Sequence, residues 1–279
     1  MSMRNSASTV GTAVRSVQLQ SWLNWELIVI DDGSSDQSAD VVAAFDDRRI
    51  RLIREPASAG LAARLNQAVE LSRGELIARM DADDICFPER LARQVDCLQK
   101  NAAIDLIGCG AVVFSKTAGL VGTLPVGLSH EEITAQPLRG FQMPHPTWCG
   151  QAAWFRANPY DPALRKTQDQ DLLLRTYSRS RFACLPDILL GYRQDDFELR
   201  KVLVGRRTYA GALWRHRSTS GIAEALGGIA GQVLKGAADS VATGLGLGLI
   251  AQRWRLNSVP PSLPAQWAEL QRQLMGGPG

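Results

Sequence analysis

The chain has 279 residues, of which 45% are hydrophobic and 21% are charged, and its formal net charge is +3. This composition supports a buried core and excludes compositional disorder, and the lack of a sequence repeat excludes collagen-like and coiled-coil proteins. The five cysteines form no Cys-x-x-Cys pair. Their number and spacing argue against a zinc knuckle or a disulfide framework and favour a reducing compartment.

The charge is unevenly distributed along the chain. Residues 200–279 contain ten basic and three acidic residues, a net charge of +7, whereas residues 1–199 carry −4. Only five of the 31 basic residues are lysines, so the C-terminal excess is mainly arginine. We therefore predict two parts with different roles, a region 1–199 and a C-terminal extension 200–279.

Helices and strands are predicted to alternate over the first 114 residues. The helices are predicted at 6–19, 37–46, 59–72 and 88–100, and the strands at 26–30, 49–54, 75–80 and 104–114. The first of these strands is continuously apolar, which is typical of a parallel strand that is buried on both faces. The alternation predicts an α/β fold built on a mainly parallel sheet.

Aspartates follow two of the predicted strands. Asp31 and Asp32 follow the first, and Asp81, Asp83 and Asp84 follow the third. Because ligands bind at the carboxyl ends of parallel strands, we expect both groups to lie at one edge of the sheet. The alternative is that Asp32 and Asp84 cap the helices that follow them.

Carboxylates that are massed in this way repel one another unless a cation lies between them. Hard oxygen ligands select Mg²⁺ or Mn²⁺, and phosphate oxygens usually complete the coordination shell of such an ion. An Asp-x-Asp sequence at a strand end therefore predicts half of a diphosphate-binding site. The sequence contains neither a P-loop nor a G-x-G-x-x-G fingerprint, which excludes those two kinds of nucleotide site.

Five sequence blocks occur in a recognisable order. They are WELIVIDDGSSD at 25–36, AGLAARLN at 59–66, GELIARMDADD at 74–84, HPT at 145–147 and QDQDLLLR at 168–175. Together they resemble the motifs of the family 2 glycosyltransferases, in particular those of bacterial surface-polysaccharide assembly, over about residues 3–195. The resemblance implies the GT-A fold, a mixed, mainly parallel sheet flanked by helices, here with a C-terminal helical extension. It also implies inverting transfer of a sugar from a nucleotide-sugar to an acceptor hydroxyl.

The resemblance further implies a donor site made of Asp31, Asp32, Arg64 and Asp81. Asp32 is expected to accept a hydrogen bond from the nucleobase, Arg64 to lie beside the nucleotide, and Asp81 to hold the ribose hydroxyls. Asp83 is expected to bind the Mn²⁺ or Mg²⁺ ion that bridges the diphosphate. The expected donor is a nucleotide-sugar, with a UDP-sugar in first place.

Asp169 is predicted to be the general base that accepts the proton of the acceptor hydroxyl. It precedes the apolar run 172–174, which places it at a predicted helix N-terminus, where the helix dipole favours an ionised carboxylate. The family usually has Glu-Asp at this point, whereas this chain has Gln168 before Asp169. Asp171 lies four residues before Arg175, the spacing of a surface ion pair, so a structural and an acceptor-side role both remain open.

His145 lies between two prolines, and two interpretations of it stay open. The ring could face the acceptor or the diphosphate, or it could pack beside Trp148 in a structural turn. For Trp148 we predict a core position, with stacking on the acceptor sugar as the alternative.

The family normally opens with an apolar strand before a short polar turn. Residues 3–5 resemble that turn, but the strand before it is not in the sequence. Its loss would leave unpaired backbone groups on the neighbouring strands. We therefore predict that residues 1–199 form a GT-A catalytic domain short of its first strand, and that the native protein begins upstream.

The C-terminal extension contains apolar residues at helical spacing between Ile222 and Ala237, with Trp214 and Trp254 next to arginines on either side. This pattern predicts an amphipathic helix. The helices of 200–279 could cover the catalytic domain, or they could make a peripheral contact with an anionic membrane surface. The chain has no apolar segment typical of a signal peptide near its start, so we expect a cytoplasmic location, at the inner face of the membrane in the second case.

The expected acceptor is a glycan or a lipid-linked glycan, and no nucleic-acid partner is predicted. One alternative is a catalytically impaired, glycosyltransferase-like binding protein. A sugar-1-phosphate nucleotidyltransferase would need a Gly-rich phosphate loop near the N-terminus, which the sequence lacks. A receiver-like phospho-acceptor module would need a lysine after a later apolar strand, which it also lacks.

Overall fold

The computed structural model of the chain describes residues 1–195 and 198–276. The strands of this part are β1 (Ser2–Met3), β2 (Leu27–Asp32), β3 (Ile50–Glu55), β4 (Leu76–Ala78), β5 (Ile85–Cys86), β6 (Leu106–Ser115), β7 (Gly119–Thr123), β8 (Cys149–Gln151) and β9 (Phe182–Arg193). The helices are α1 (Val10–Gln18), α2 (Ser38–Ala43), α3 (Leu61–Leu71), α4 (Arg90–Lys100), α5 (His130–Ile133), α6 (Ala152–Ala157), α7 (Gln168–Thr176), α8 (Leu199–Arg215), α9 (Arg217–Ser220), α10 (Ile222–Gly244), α11 (Gly248–Arg253) and α12 (Leu263–Met275). A short 3₁₀ helix spans His145–Thr147.

The strands form two sheets. The first is parallel and has the order β1-β2-β3, and the second has the order β4-β8-β6-β9-β5, with β7 paired to β6. The longest pairings, β2 with β3 and β6 with β9, are parallel. Strand β8 runs antiparallel to both β4 and β6, and β5 and β7 add further antiparallel pairs. The predicted mixed, mainly parallel α/β fold with C-terminal helices is therefore confirmed.

The core follows from the apolar strands. Every residue of β2 is buried, because β2 lies inside the first sheet and is covered by the apolar face of α1, including Val10 and Val14. A second cluster joins α3, α6, α7 and α8 around the fully buried Trp148. All five cysteines are free and four of them are buried, as expected for cysteines that serve as small apolar residues.

Strand β1 connects the two sheets. Met3 is in register with Asp31 of β2, while Ser2 pairs with Ile30 on one side and forms a β-bridge with Asp81 on the other. Ser2 and Met3 thus pair with β2 where the first strand of the family was expected, and the prediction that the rest of this strand lies upstream stays a prediction. The carboxyl ends of β2 and β4 become neighbours across β1, as the aspartates at both ends predicted.

A cavity of about 680 Å³ separates the amino-terminal parts of β2 and β4. Its wall includes Leu27 and Ile28 of β2, Leu76 and Ile77 of β4, and side chains from α3 and α4. None of the aspartates at the strand ends lines it. Arg79, which follows β4, also belongs to its wall, so the cavity reaches the carboxyl end of β4 without touching the aspartates.

The C-terminal helices pack on the rest of the chain to different extents. Helix α8 contributes Tyr209 and Leu213 to the cluster around Trp148. Helix α12 places Trp267 against Phe114, with 4.7 Å between the ring centroids. Two helices of 200–279 thus pack on the region before residue 199, as one of the two interpretations predicted. No helix within the described residues is long and apolar enough to cross a membrane.

Candidate active site

Three carboxylates gather in the turn between β4 and β5. Asp81, Asp83 and Asp84 each offer one oxygen, and these oxygens all lie within 4.8 Å of one another. The turn is closed by a backbone hydrogen bond from Asp84 to the carbonyl of Asp81 (3.4 Å). The local reason is that β4 ends at Ala78 and β5 begins at Ile85, so the chain must reverse within a few polar residues.

Like-charge repulsion and burial govern this acidic cluster. Burial, followed by the charges of Asp81 and Asp83, raises the pKa of Asp84 well above its usual value. Desolvation, followed by the charge of Asp81, raises the pKa of Asp83. The Oδ2 atom of Asp84 is buried and has no partner among the described residues. Three hard oxygens with an unsatisfied acceptor fit a Mg²⁺ or Mn²⁺ ion, because such an ion offsets the repulsion.

Asp84 does not cap the helix that follows it. Helix α4 begins only at Arg90, and the Oδ1 atom of Asp84 accepts a hydrogen bond from the backbone N–H of Arg193 (2.9 Å). Arg193 ends β9, and its Nε donates to the carbonyl of Asp83 (2.9 Å). Its guanidinium lies 4.7 Å above the ring centroid of Phe114. Arg193 therefore holds the acidic turn from a strand 109 residues away, which no local sequence signal could indicate.

Arg79 is a further residue of the site that the sequence reasoning missed. Its side chain is buried, and Nη2 donates to Oδ1 of Asp81 at 2.5 Å. Its Nε and Nη1 have no hydrogen-bond partner within the described residues. An unpaired buried N–H group costs about 1–3 kcal/mol, so this guanidinium is prepared to donate to an acceptor from outside. The available signal was a charged residue inside an otherwise apolar predicted strand.

Asp32 organises the start of α3. Its carboxylate accepts hydrogen bonds from Ser58 Oγ (2.7 Å), Ala59 N (2.7 Å), Gly60 N (3.0 Å) and Arg64 Nε (2.7 Å). Burial acts to raise the pKa of Asp32, and these donors outweigh it, so the pKa is lowered. The alternative that Asp32 caps the next helix is therefore wrong for α2. The carboxylate instead holds the loop that leads into α3.

Arg64 and Asp31 also bind within the protein. Besides Asp32, Arg64 contacts Gln67 (2.9 Å) and Glu55 (3.2 Å), so it fixes the loop between β3 and α3. Asp31 accepts a hydrogen bond from the backbone of Ser34 (3.0 Å) and so stabilises the turn after β2. Both side chains shape the strand edge through internal bonds.

A cavity of about 260 Å³ opens next to Asp32. It is lined by Ser2, Met3, Arg4, Asp32, Ser58, Gly60 and Leu61. Arg4 reaches across to Ser58 (3.1 Å), which itself donates to Asp32. Of the expected donor residues, Asp32 is the one that lines this cavity, while Asp81 lies across β1 from it.

Asp169 is the second residue of α7, which confirms its predicted position at a helix N-terminus. The helix starts after Thr167, whose φ of 58° is unusual for a β-branched residue and indicates a constrained entry. Burial raises the pKa of Asp169, and Gln170 and Arg79 act against this effect. The charge of Arg79 also acts to lower the pKa of Asp83.

His145 packs inside the protein. Its Nε2 lies 2.8 Å from the hydroxyl of Tyr160, and its ring meets Trp148 edge-on with 4.6 Å between centroids. Burial and the charge of Arg79 lower its pKa well below the usual value, so the ring is neutral. Trp148 is fully buried and donates to the carbonyl of Met143 (3.2 Å). The geometry thus agrees with the interpretation in which His145 packs beside Trp148 in a structural turn, and Trp148 lies in the core as predicted.

Asp171 lies at the centre of a buried ionic cluster. It accepts hydrogen bonds from Arg175 (2.9 Å) and from Arg215 of α8 (3.1 Å), and it lies 3.3 Å from Nε2 of His216. The predicted pair with Arg175 is confirmed, but its location at the surface is wrong, because tertiary contacts with α8 bury the carboxylate. Burial acts to raise the pKa of Asp171, and the arginine bonds outweigh it, so the pKa is lowered.

Replacing Asp171 by Asn is expected to destabilise the fold by about 1–3 kcal/mol at neutral pH. The substitution leaves Arg175 and Arg215 without their counter-charge, and their partial exposure keeps the cost below that of a fully buried pair. Because the pKa of Asp171 is lower in the folded than in the unfolded state, the ionised carboxylate stabilises the fold fully above the unfolded pKa of about 3.9. This stabilisation is lost as the pH falls through the pKa of the folded state. Urea unfolding at neutral and acidic pH measures both effects.

The surface variant Asp96→Asn, which removes an exposed pair with Lys100, is the matched control and should change stability by less than about 1 kcal/mol. An Asp171→Asn protein as stable as this control at neutral pH would contradict the structural role of the cluster. A difference between the two variants that persists unchanged at acidic pH would contradict its ionic origin.

The mixed α/β fold with aspartates at its strand ends agrees with the family that the sequence motifs resemble, and so does the comparison with known families. The sequence model of the family described as Glycosyl transferase family 2 matches residues 1–158. The chain therefore belongs to glycosyl transferase family 2.

Particular relatives support this membership. EpsE of Bacillus subtilis (strain 168) is 32% identical over 202 residues, which cover 70% of this chain and 72% of that protein. The Escherichia coli protein named UDP-Glc:alpha-D-GlcNAc-diphosphoundecaprenol beta-1,3-glucosyltransferase WfgD is 37% identical over 97 residues, 35% of this chain and only 38% of its own length. Among solved structures, S. aureus TarS 1-349 in complex with UDP has a TM-score of 0.62 at 16% identity, covering 98% of this chain and 78% of that one. This last likeness shows the fold alone.

Proposed function

We propose that the protein is an inverting glycosyltransferase that moves a sugar from a nucleoside-diphosphate sugar to an acceptor hydroxyl. The observation that carries the proposal is the convergence of Asp81, Asp83 and Asp84 at the strand edge of a family 2 chain. Three close carboxylates at this edge suit a ligand that brings a diphosphate and a divalent cation together.

The donor is proposed to bind in the cavity beside Asp32 and at the neighbouring end of β4. The nucleobase would occupy the cavity between Arg4 and Leu61, with the ribose next to Asp81. Asp31, Asp32 and Arg64 support this side by holding the two loops in place. A UDP-sugar is the proposed donor, since solved structures of TarS contain UDP or UDP-GlcNAc and WfgD is a glucosyltransferase named for UDP-Glc.

The diphosphate is proposed to bind together with a Mg²⁺ or Mn²⁺ ion that Asp83 would hold. Asp81 and Asp84 complete the acidic cluster around this position. Such an ion, when bound, stabilises negative charge on a leaving diphosphate. Within the described residues, the Nε and Nη1 atoms of Arg79 have no partner, and this guanidinium beside Asp81 can donate to the same oxygens. Arg193 fixes the acidic turn by binding the carbonyl of Asp83, so the ligands need little reorganisation.

For the acceptor, the proposal makes Asp169 the general base. The acceptor hydroxyl oxygen attacks the anomeric carbon, its proton passes to the Asp169 carboxylate, and the nucleoside diphosphate leaves with the electrons of the broken glycosidic bond. One displacement inverts the anomeric centre. Burial raises the pKa of Asp169, which strengthens it as a base while the carboxylate is ionised. His145 is neutral and buried and Trp148 lies in the core, so both support this side by packing.

The protein is proposed to consist of a catalytic region, residues 1–199, and a helical extension, residues 200–279. The acceptor is a glycan or a lipid-linked glycan. Sugar transfer takes place at the cytoplasmic face of a membrane that the extension contacts. The buried pair between Asp171 of α7 and Arg215 of α8 joins the two regions close to Asp169.

A donor panel tests the proposed function. Thermal shift with UDP-sugars and other nucleotide-sugars, with and without Mn²⁺, is expected to give stabilisation that needs both UDP and the metal. Product from a stabilising donor should show inversion in the anomeric coupling constant measured by NMR. No stabilisation by any nucleotide-sugar would contradict the proposal, and donor binding without transfer to any glycan acceptor would favour a binding protein.

A further inference from the structure

Helix α10 turns most of its large apolar residues away from the protein, although the partly buried Ile229 packs against the cluster around Trp148. The residues that it buries against the chain are small or polar, namely Ala225, Gln232, Gly236 and Asp239. The large apolar residues of α10 are exposed and include Ile222, Leu226, Val233, Leu234 and Val241. A surface helix of a globular protein normally buries such residues and exposes its polar ones. Here the arrangement is reversed, with Val233 65% exposed and Leu234 71% exposed.

The exposed apolar surface continues beyond the end of α10. Leu245, Leu247 and Ile250 are exposed in the turn and in α11, and Trp254 is 84% exposed. The 23 residues of α10 alone extend over roughly 35 Å, and only three of them are charged. Monomeric proteins rarely expose apolar patches of this extent unless the patch binds something. We call the exposed apolar residues of 222–254 the outer face.

Positive charge lies along the side of α10 that faces the protein. The buried Asp239 is bound by Arg206 (2.8 Å) and by Arg255. Lys235 lies close by, where partial burial and the charges of Arg206, Arg139 and Arg255 lower its pKa. Arg206 and Arg255 thus share the Asp239 carboxylate, and Lys235 adds an exposed cation of α10.

Arginine and tryptophan also border the outer face. The guanidinium of Arg217 lies 4.5 Å from the ring centroid of Trp214, and Arg253 is exposed beside Trp254. Tryptophan and arginine next to an apolar helix face suit the boundary between lipid headgroups and acyl chains.

We propose that the outer face binds the surface of an anionic lipid bilayer, with α10 lying in the plane of the interface. Apolar side chains enter the acyl boundary, and the flanking cations meet phosphate headgroups. A dimer through the same face would bring two copies of the cationic flank together, so lipid is the better-matched occupant. The inference rests on the proposed function only in that a lipid-linked acceptor gives membrane contact a purpose.

One helix connects the outer face with the acceptor side of the site. Helix α8 binds α10 through Arg206 and Asp239, and it binds α7 through Arg215 and Asp171. Asp169 lies on the first turn of α7. A bilayer that holds α10 would therefore hold the catalytic part at a fixed orientation.

Vesicle flotation of the full chain tests the proposal. Vesicles of phosphatidylcholine containing a third of phosphatidylglycerol are expected to carry the wild type, and pure phosphatidylcholine vesicles to carry much less. The triple variant Leu226→Glu, Val233→Glu, Val241→Glu is expected to abolish flotation. The double variant Lys235→Gln, Arg253→Gln is expected to weaken membrane binding by about 25-fold, or about fivefold for each cation. Leu23→Glu, at a leucine that is 72% exposed outside the extension, is the matched control and should float like the wild type.

The double variant of Lys235 and Arg253 keeps the test valid if the triple variant does not fold, which circular dichroism determines. Equal flotation of wild type and both variants, or no flotation of the wild type, would overturn the proposal. A wild-type dimer in analytical ultracentrifugation that the triple variant dissociates would assign the outer face to a second copy instead. Donor-dependent thermal shift, measured on the same proteins, keeps a failure of this proposal distinct from a failure of the proposed glycosyl transfer.

Discussion

Asp169→Asn is expected to lower the turnover number of sugar transfer by about 10²–10⁴-fold while leaving the affinity for the donor nearly unchanged. The amide is similar in size to the carboxylate but cannot accept the proton of the acceptor hydroxyl. The side chain lies in the first turn of α7 and its only side-chain hydrogen bond within the described residues is a long one from Gln170 (3.4 Å), so the fold should tolerate the change. Steady-state kinetics with donor binding measured separately tests both parts.

The pH profile gives an independent readout of Asp169. A base must be ionised, and burial raises the pKa of this carboxyl. The wild-type rate should therefore fall as pH decreases through a value above the ordinary aspartate pKa of about 3.9, and this limb should vanish in Asp169→Asn. Asp40→Asn, which breaks an exposed pair with Arg54, is the matched control and should keep the full rate. A turnover number of Asp169→Asn within about twofold of this control would rule out the general-base role.

Asp83→Ala is expected to remove the metal dependence of donor binding. Loss of an outer-shell partner of a metal already costs about 10–100-fold in affinity, and a direct ligand should cost at least as much. The side chain is exposed and makes no side-chain hydrogen bond within the described residues, so the folded state should lose little stability. Titration of Mn²⁺ in the presence of UDP, followed by thermal shift or calorimetry, measures the effect.

The exposed Asp46 supplies the control for this second experiment. Asp46→Ala also removes an exposed aspartate carboxylate, but from the loop between α2 and β3, away from the acidic cluster. It should leave the Mn²⁺ titration unchanged. Donor stabilisation that is independent of Mn²⁺ in the wild type, or equal in Asp83→Ala and Asp46→Ala, would contradict the assignment of the metal to Asp83.

Much of the strand edge was predictable because its signals are local. An apolar run that ends in polar residues marks where a parallel strand stops, and ligands gather at the carboxyl ends of such strands. This reasoning correctly predicted that Asp31 and Asp81 lie on neighbouring strand ends, which the structure joins through β1. The position of Asp169 at a helix N-terminus was predictable for the same reason, since the apolar run after it is a local helix signal.

Other properties of the site depend on partners that are far away in sequence. Three of the four donors to Asp32 come from the loop before α3 and the fourth, Arg64, from α3 itself, while Arg193 reaches the acidic turn from the end of β9. Asp171 looked like half of a surface pair because its spacing from Arg175 reports only the helix, and burial was added by α8. The unsatisfied N–H groups of Arg79 also become visible only when every neighbour is in place.

The sequence by itself determined the α/β class, the family blocks, the acidic strand ends and the arginine-rich extension. These features follow from composition, periodicity and short-range spacing, which a chain carries without folding. Only the tertiary structure decided which side of α10 faces outward. Helical periodicity specifies that one side of the helix is apolar, but the partner to which a side packs is set by contacts such as Arg206 with Asp239. Those contacts turn the polar side of α10 inward, and the apolar side is left at the surface because no element of the described chain covers it.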